Sequence, residues 1–311
     1  MGRIAGSRIL LLVLYCIGGI RVPGARGQGT DCELKGHRRD YWREIAKNHY
    51  EIPPGQDAFP LVRELSSYLC SPDPELRDDL AYSILTTWIV RQKKLSHDEL
   101  LTLAREWQAN LRVRIGETET DSVLRRSFSA LSLVALAERD LKEPFLDEAG
   151  FRTMLDEAMR YLRDERDLRG FDAKKGWIHA TAHTADLIAA LAGNRFFTRH
   201  DQGRVLQAIA QRLASANEIF TYGEQDRLAN VAAAIITRDD FDGERWRSWV
   251  AEMDREDSAV WKDTPPQMQA LARFENDSYF LRATITQTSL RAVTPASTEA
   301  QETVLTLLRR R

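Results

Sequence analysis

No glycine-rich phosphate loop, no Gly-x-Ser-x-Gly elbow and no Cys-x-x-Cys pair occurs in the 311 residues. The P-loop, α/β-hydrolase and dithiol-exchange chemistries therefore have nothing to stand on. Charge of one sign is missing as well. Lysine and arginine number 44 against 46 aspartates and glutamates, for a formal net charge of −2, and the two signs are interspersed. That pattern excludes the basic face of a nucleic-acid binder. No segment alternates β-branched residues between turns, so a central sheet is not expected. No apolar run is long enough to span a bilayer.

What remains is a chain of soluble globular composition, long enough for a sizeable core. Its first residues read as a processing signal. Arg3 and Arg8 precede the short apolar run 9–17, and Ala25-Arg-Gly27 offers small residues at a cleavage site. The expected division is a signal peptide over 1–27 and one helical domain over 28–311, exported to a periplasm or beyond the cell surface. No membrane insertion follows once the signal is cut. An uncleaved anchor is the alternative, opposed by Arg21 and Pro23. Of three cysteines, Cys16 leaves with the signal. Cys32 and Cys70 form an even pair in an oxidising compartment, and an antiparallel hairpin of His37–Tyr50 with Asp57–Cys70 brings them to the same end. Two unrelated buried thiols are the alternative.

Helical spacing runs through the rest. Leu76, Leu80, Ile84 and Trp88 share a face, and Ser96-His-Asp-Glu99 is a capping box opening a helix with Leu100, Leu103 and Trp107. Further helices are expected over Asp121–Asp140, Asp147–Glu165, Thr198–Ser215, Glu224–Thr237, Glu244–Asp254, Pro266–Leu290 and from about Thr298. The starts pair near 74 and 96, 121 and 147, 177 and 198, 224 and 244, 267 and 298. Two helices per roughly 40–50 residues is the period of HEAT-like repeats. The expected fold is all-α, stacked helical pairs in an α-solenoid or superhelix, with a compact irregular bundle as competitor. In a stack the first helices lie parallel, with their N-termini along one edge.

The most informative stretch is Arg169-Gly-Phe-Asp-Ala-Lys-Lys-Gly-Trp-Ile-His179-Ala-Thr-Ala-His183-Thr-Ala-Asp186. At about 100° per residue, a helix here places His179, His183 and Asp186 within about a 60° arc. Its other faces are so apolar that it must be buried. Glu224 and Asp226 open the corresponding helix of the next pair. Three readings stay open. His179, His183, Asp186 and Glu224 could ligate a divalent metal, zinc being favoured, for a hydrolase, although Ala180 stands where a zincin glutamate would be. His183, Asp186 and Glu224 could be catalytic without metal, His183 being polarised by Asp186 and facing Glu224. Or Arg169 and Arg227 could neutralise Asp172, Asp186, Asp226 or Glu224 in a structural network. The leading function is a binding or scaffolding module for an unidentified ligand or protein, with Arg169, Trp177, His179, Asp226 and Arg227 lining its groove.

Other features read blandly. Asp78 and Asp79 suit a helix N-terminus. The run Tyr161-Leu-Arg-Asp-Glu-Arg-Asp-Leu168 reads as a solvated helix end. Trp246 and Trp249 read as a packing pair, Asn276-Asp-Ser278 as a glycosylation pattern inside a helix, and Arg309-Arg-Arg311 as too short to imply a partner.

The run Arg169-Gly-Phe with Gly176-Trp-Ile-His179-Ala-Thr-Ala-His183-Thr-Ala-Asp186-Leu resembles the signature of the bacterial family called domain of unknown function 2785. Glu224-Gln-Asp226-Arg227-Leu-Ala is similar to its second block, and Leu76-Arg-Asp-Asp-Leu-Ala-Tyr with Trp88 to its N-terminal one. The resemblance covers roughly residues 40–290. It implies an all-helical protein and carries no catalytic assignment.

Overall fold

The first helices of successive pairs pack directly on one another, which decides for a stack over an irregular bundle. A computed structural model describes Cys32 and residues 36–310. The signal expected over 1–27 lies outside the described residues. Of the described residues 68% are helical, in line with the all-α fold expected. The elements are α1 (Arg39–Lys47), α2 (Ala58–Tyr68), α3 (75–91), α4 (His97–Asn110), α5 (Ser122–Lys142) and α6 (Glu148–Asp164). A two-strand hairpin follows, β1 (Phe171–Asp172) and β2 (Gly176–Trp177), then α7 (Ala180–Ala192), α8 (Arg199–Ser215) and α9 (Glu224–Ile236). The chain ends with α10 (Gly243–Asp257), a 3-10 turn Ser258–Lys262, α11 (Met268–Ser289) and α12 (Pro295–Leu308). Among the described residues no helix is long and apolar enough to cross a membrane.

Helices α3, α5, α7, α9 and α11 form one row, each against the next, while α4, α6, α8 and α10 form the second layer. Side-chain bonds fix the sense of the row. Near the N-terminal ends Ser127 Oγ of α5 meets His183 Nδ1 of α7 at 2.8 Å, and Arg227 of α9 meets Asp186 of α7 at 2.6 Å. At the C-terminal ends Asp140 of α5 accepts from Asn194 and Arg195 just past α7, at 2.8 and 2.9 Å. Arg238 just past α9 donates to Ala192 O of α7 at 2.6 Å. Like ends meet like ends, so α5, α7 and α9 run parallel.

The helices start where local chemistry says. Ser96 and Glu99 close the expected capping box, and Thr198 with Asp201 does the same at α8. Each supplies partners for amides that the first turn leaves free. α7 is apolar nearly all round and buried between α5 and α9, as its composition requires. α3 is wound wide, π-helical over Glu75–Tyr82 and Thr87–Arg91 around one α-turn at Ser83–Thr86. Such widened turns recur where side chains are aimed at a site, and α3 sends Arg77 and Asp78 to the hairpin. Cys32 and Cys70 are joined, with Cα atoms 5.5 Å apart across a separation of 38 residues. Tyr68 Oη also donates to His37 O at 2.9 Å, so the start of α1 and the end of α2 meet as expected. Closing that loop contributes about 3–4 kcal/mol in the chain-entropy account.

Three expectations are corrected. The hairpin interrupts the helix assumed to begin at Trp177, so α7 starts at Ala180 and His179 lies outside it. Its strands are too short to show as alternation. The run 161–168 is not a solvated end, because Tyr161, Glu165 and Asp167 are buried. Glu165 takes a two-pronged bond from fully buried Arg126 at 2.6 and 3.0 Å. Asp78 serves the buried guanidinium of Arg77, at 3.0 Å, rather than the helix dipole alone. Trp246 and Trp249 do pack, 5.3 Å apart between centroids. Asn276 lies buried inside α11, bonding Glu218 O and Phe220 N, so its amide is not a surface acceptor.

Candidate functional site

The hairpin is built by one carboxylate and two glycines. Asp172 Oδ1 accepts the amides of Lys174 and Lys175 at 2.8 and 2.9 Å, and this holds its carboxyl below the usual range. Gly176 closes the turn at φ +73°, a region that favours glycine. Gly170 is required for a different reason: a Cβ there would stand 2.3 Å from the Tyr222 ring. Arg77, fully buried on α3, holds the hairpin from beneath through Lys175 O at 2.6 Å and Trp177 O at 3.1 Å. It also donates to Ser71 O at 2.8 Å and lies 4.4 Å over the Phe128 ring. His179 then turns the chain into α7 from a left-handed conformation (φ 52°, ψ 34°), and its carbonyl accepts the first helical bond, from His183 N.

Both imidazoles are buried and differ in proton placement. Ser127 Oγ lies within bonding distance of Ile178 O and of His183 Nδ1. A carbonyl only accepts, so the hydroxyl donates to Ile178 O and His183 donates from Nδ1, leaving Nε2 with its lone pair. Burial, then the charges of Arg227, Arg77 and of His179 when it is protonated, drive the His183 pKa well down. His179 donates from Nε2 to Tyr222 O at 2.9 Å, with Glu224 Oε1 3.5 Å away. Burial lowers its pKa too, so near pH 7 its contact with Glu224 joins a neutral ring to a carboxylate and is no ion pair. Trp177 stacks on it at 4.6 Å and 20°. Glu224 Oε2 accepts Tyr222 N at 2.9 Å, and burial raises its pKa. Asp186 is raised by burial against the opposing pull of Arg227.

The predicted residues come together in part. His179, His183, Asp186, Glu224 and Arg227 meet where the N-terminal halves of α7 and α9 pack together. Among the described residues no three of histidine, cysteine, aspartate or glutamate are grouped to hold a metal ion. This corrects the expectation of a zinc quartet at His179, His183, Asp186 and Glu224. The cause is local: His179 is off the helix and its ring turns to Tyr222, while Asp186 is engaged by Arg227. Asp186 does not orient His183 either; Ser127 does. Glu224 stands beside His179 rather than opposite His183. Arg169 is tied to Asp167 Oδ1 at 2.8 Å and Thr120 O at 2.8 Å, and Asp172 to its own turn, so neither enters the network predicted for them. Asp226 is exposed and lines a different cavity, between α9 and α11.

Beside this cluster, where Trp177 stacks on His179, stand three rings that the structure leaves in the open. Phe171, Trp177 and Tyr222 are 45%, 44% and 46% exposed. Their centroids lie 5.0, 6.3 and 6.4 Å apart, so they form one cluster.

A family model described as "Protein of unknown function (DUF2785)" matches residues 111–286, more than half of the chain. The chain belongs to this family. No curated protein and no solved structure matches it. The DUF2785 segment runs from the end of α4 into α11 and includes the hairpin, both histidines, Asp186, Glu224 and Arg227. The block Leu76–Trp88 falls outside it, although Arg77 supports the hairpin.

Sequence reasoning missed Arg77, Ser127, Phe171 and Tyr222. For Phe171 a signal was present: Asp172-Ala-Lys-Lys-Gly176 is a three-residue turn with glycine at its left-handed end. Nothing local marks Ser127, whose role exists only because α5 lies beside α7.

The two histidines give the DUF2785 fold a pH dependence. Their folded-state pKa values lie below the ordinary 6.5, so between those values and 6.5 the unfolded chain binds the extra protons. Their contribution is complete above that point and is lost as pH falls, by about 1.4 kcal/mol per unit for each ring. Asp78, Asp186 and Glu224, all raised by burial, act oppositely through the carboxylate range. His183→Gln is expected to cost about 1–3 kcal/mol at neutral pH and to shrink the loss on acidification. Urea unfolding of both proteins from about pH 7 to about pH 5.5 checks this. Parallel pH profiles would contradict the assignment.

Proposed function

We propose that the protein binds a small polar ligand with an apolar face at the exposed ring cluster beside the junction of α7 and α9. The observation that carries this is the exposed ring cluster Phe171, Trp177 and Tyr222 directly beside the buried polar groups of His179 and Glu224. Clustered exposed aromatics are stabilised by covering, and a rigid ring surface next to a few fixed donors and acceptors is the usual composition of a ligand site. His183 Nε2, Asp186 and Glu224 supply acceptors, and Arg227 supplies donors. Export remains part of the proposal, supported by the Cys32–Cys70 disulfide, since such bonds persist in oxidising compartments.

The experiment is a fragment screen read by thermal shift and ligand-observed NMR, on wild type and on Trp177→Ala. Trp177 is half exposed, so the variant keeps its fold. Hits at the ring cluster are expected to lose about tenfold affinity or more in the variant, equivalent to about 1.4 kcal/mol. Hits that bind both proteins equally would end this reading. A second reading, proton transfer by His183, is favoured by its unprotonated Nε2. It predicts that His183→Gln abolishes turnover of a bound ligand while binding survives.

A further inference from the structure

We infer that the ligand is a neutral oligosaccharide, which lays one pyranose face on the Phe171–Trp177–Tyr222 cluster and continues past the first turn of α9 to Tyr279. This rests on the ligand-binding reading above and gives it a substrate class.

Each of the three rings is nearly half exposed, and Trp177 stands at 72° to Phe171 and 85° to Tyr222, so the cluster is an angled aromatic surface and not a flat shelf. An aromatic face is electron-rich and attracts the aliphatic C–H groups that a pyranose presents on one side.

Charge weighs against an anionic ligand at the first site. Arg77 is paired with Asp78, Lys175 with Asp121 and Arg227 with Asp186. A phosphate, sulfate or carboxylate would face Glu224, Asp78 and Asp186 there and would be left with Lys174, exposed at the tip of the hairpin. The polar inventory suits hydroxyls instead, which both donate and accept: carboxylates and the His183 lone pair on one side, the Arg227 guanidinium on the other.

The length of the ligand follows from the repeat. The next junction along the same edge, between α9 and α11, holds a cavity of about 530 Å³. Thr221 and Gly223, the chain neighbours of Tyr222, line it, so the two sites share the loop that carries Tyr222. Its composition repeats that of the first: Tyr279, 48% exposed, and Ile219 for an apolar face, with Asp226, Arg282 and Thr286 for hydroxyls. Two like sites on one edge suit a ligand built of like units.

The test uses the full chain, titrated by calorimetry and tryptophan fluorescence. The probes are glucose, xylose, mannose and N-acetylglucosamine, then cellotriose, maltotriose, xylotriose, mannotriose and chitotriose, with adenosine as a flat neutral control. One series is expected to bind, its trisaccharide about tenfold or more tighter than its monosaccharide. Trp177→Ala should weaken both by about tenfold or more, with Trp177→Phe retaining binding. Tyr279→Ala should bring the trisaccharide down to the monosaccharide's affinity, while the monosaccharide keeps its quenching of Trp177 fluorescence. Absence of binding by every sugar, or a trisaccharide indifferent to Tyr279→Ala, overturns the inference. If the sugars fail while adenosine or a fragment binds in a Trp177-dependent way, the saccharide class falls and the ligand-binding reading stands. If nothing binds in that way, both fall.

Discussion

Replacing Arg126 by alanine is expected to lower the free energy of unfolding by about 3–5 kcal/mol. Arg126 is fully buried in the first turns of α5. It grips Glu165 through two bonds and also donates to Val113 O and Arg114 O, at 3.0 Å each. Glu165 is 2% exposed and uses Oε1 on the amides of Arg166 and Asp167 as well. Removing the guanidinium therefore leaves a buried carboxylate without its two-pronged partner and takes a donor from Val113 O and from Arg114 O, which is far costlier than losing a surface ion pair. The double variant Arg126→Met with Glu165→Met is expected to recover much of the loss, because an apolar pair of similar size needs no compensation. Urea unfolding of the three proteins decides it. A single-variant loss below about 1 kcal/mol would place the pair among surface-like bridges.

The second large effect is expected at Arg77. Arg77→Ala removes donors from Ser71 O, Lys175 O and Trp177 O, removes the partner of Asp78, and strips the cation from the Phe128 face. A loss of about 3–4 kcal/mol is expected. Asp78, already raised by burial and lowered by Arg77, should rise further and take up a proton. The hairpin should loosen, so amide exchange at Ile178 and His179 should speed up more than exchange in the middle of α7. Ligand affinity should then fall together with hairpin protection. Unchanged exchange at Ile178 would show that the hairpin is held by its own bonds to Gly170 and not from below.

Much of this fold was legible because its helices obey local rules. Ser96 with Glu99, the apolar face of α3 and the near-continuous apolar surface of α7 each state their structure in a few residues. The pairing of starts gave the order of the stack, and with it the nearness of His179 to Glu224. The site was less legible. A helical projection assumes that every residue of the stripe is helical, and His179 breaks that assumption by one position. Its left-handed backbone turns the ring toward Tyr222, out of line with His183 and Asp186. Buried arginines were illegible for a different reason. Arg77 and Arg126 sit in sequence like the exposed Arg163 and Arg166, and only tertiary packing separates a guanidinium at 0% exposure from one in water. The run 161–168 was misread on the same account, since alternating signs describe a solvated face and a buried network equally well.

In a simple stack of helical pairs each module touches only its neighbours, and such arrays melt in pieces, fraying from whichever end is weaker. The bonds from Arg77 to Lys175 O and Trp177 O break that rule. They join the pair that opens with α3 to the segment that opens the pair of α7, passing over the α5–α6 module between them. His179 and Tyr222 then carry the link on to α9. The hairpin thereby acts as a clasp on the layers of α3, α7 and α9, the first of them not adjacent to the other two, and no module under it can come apart without opening the others. An array built for piecewise melting becomes, over those layers, one cooperative unit.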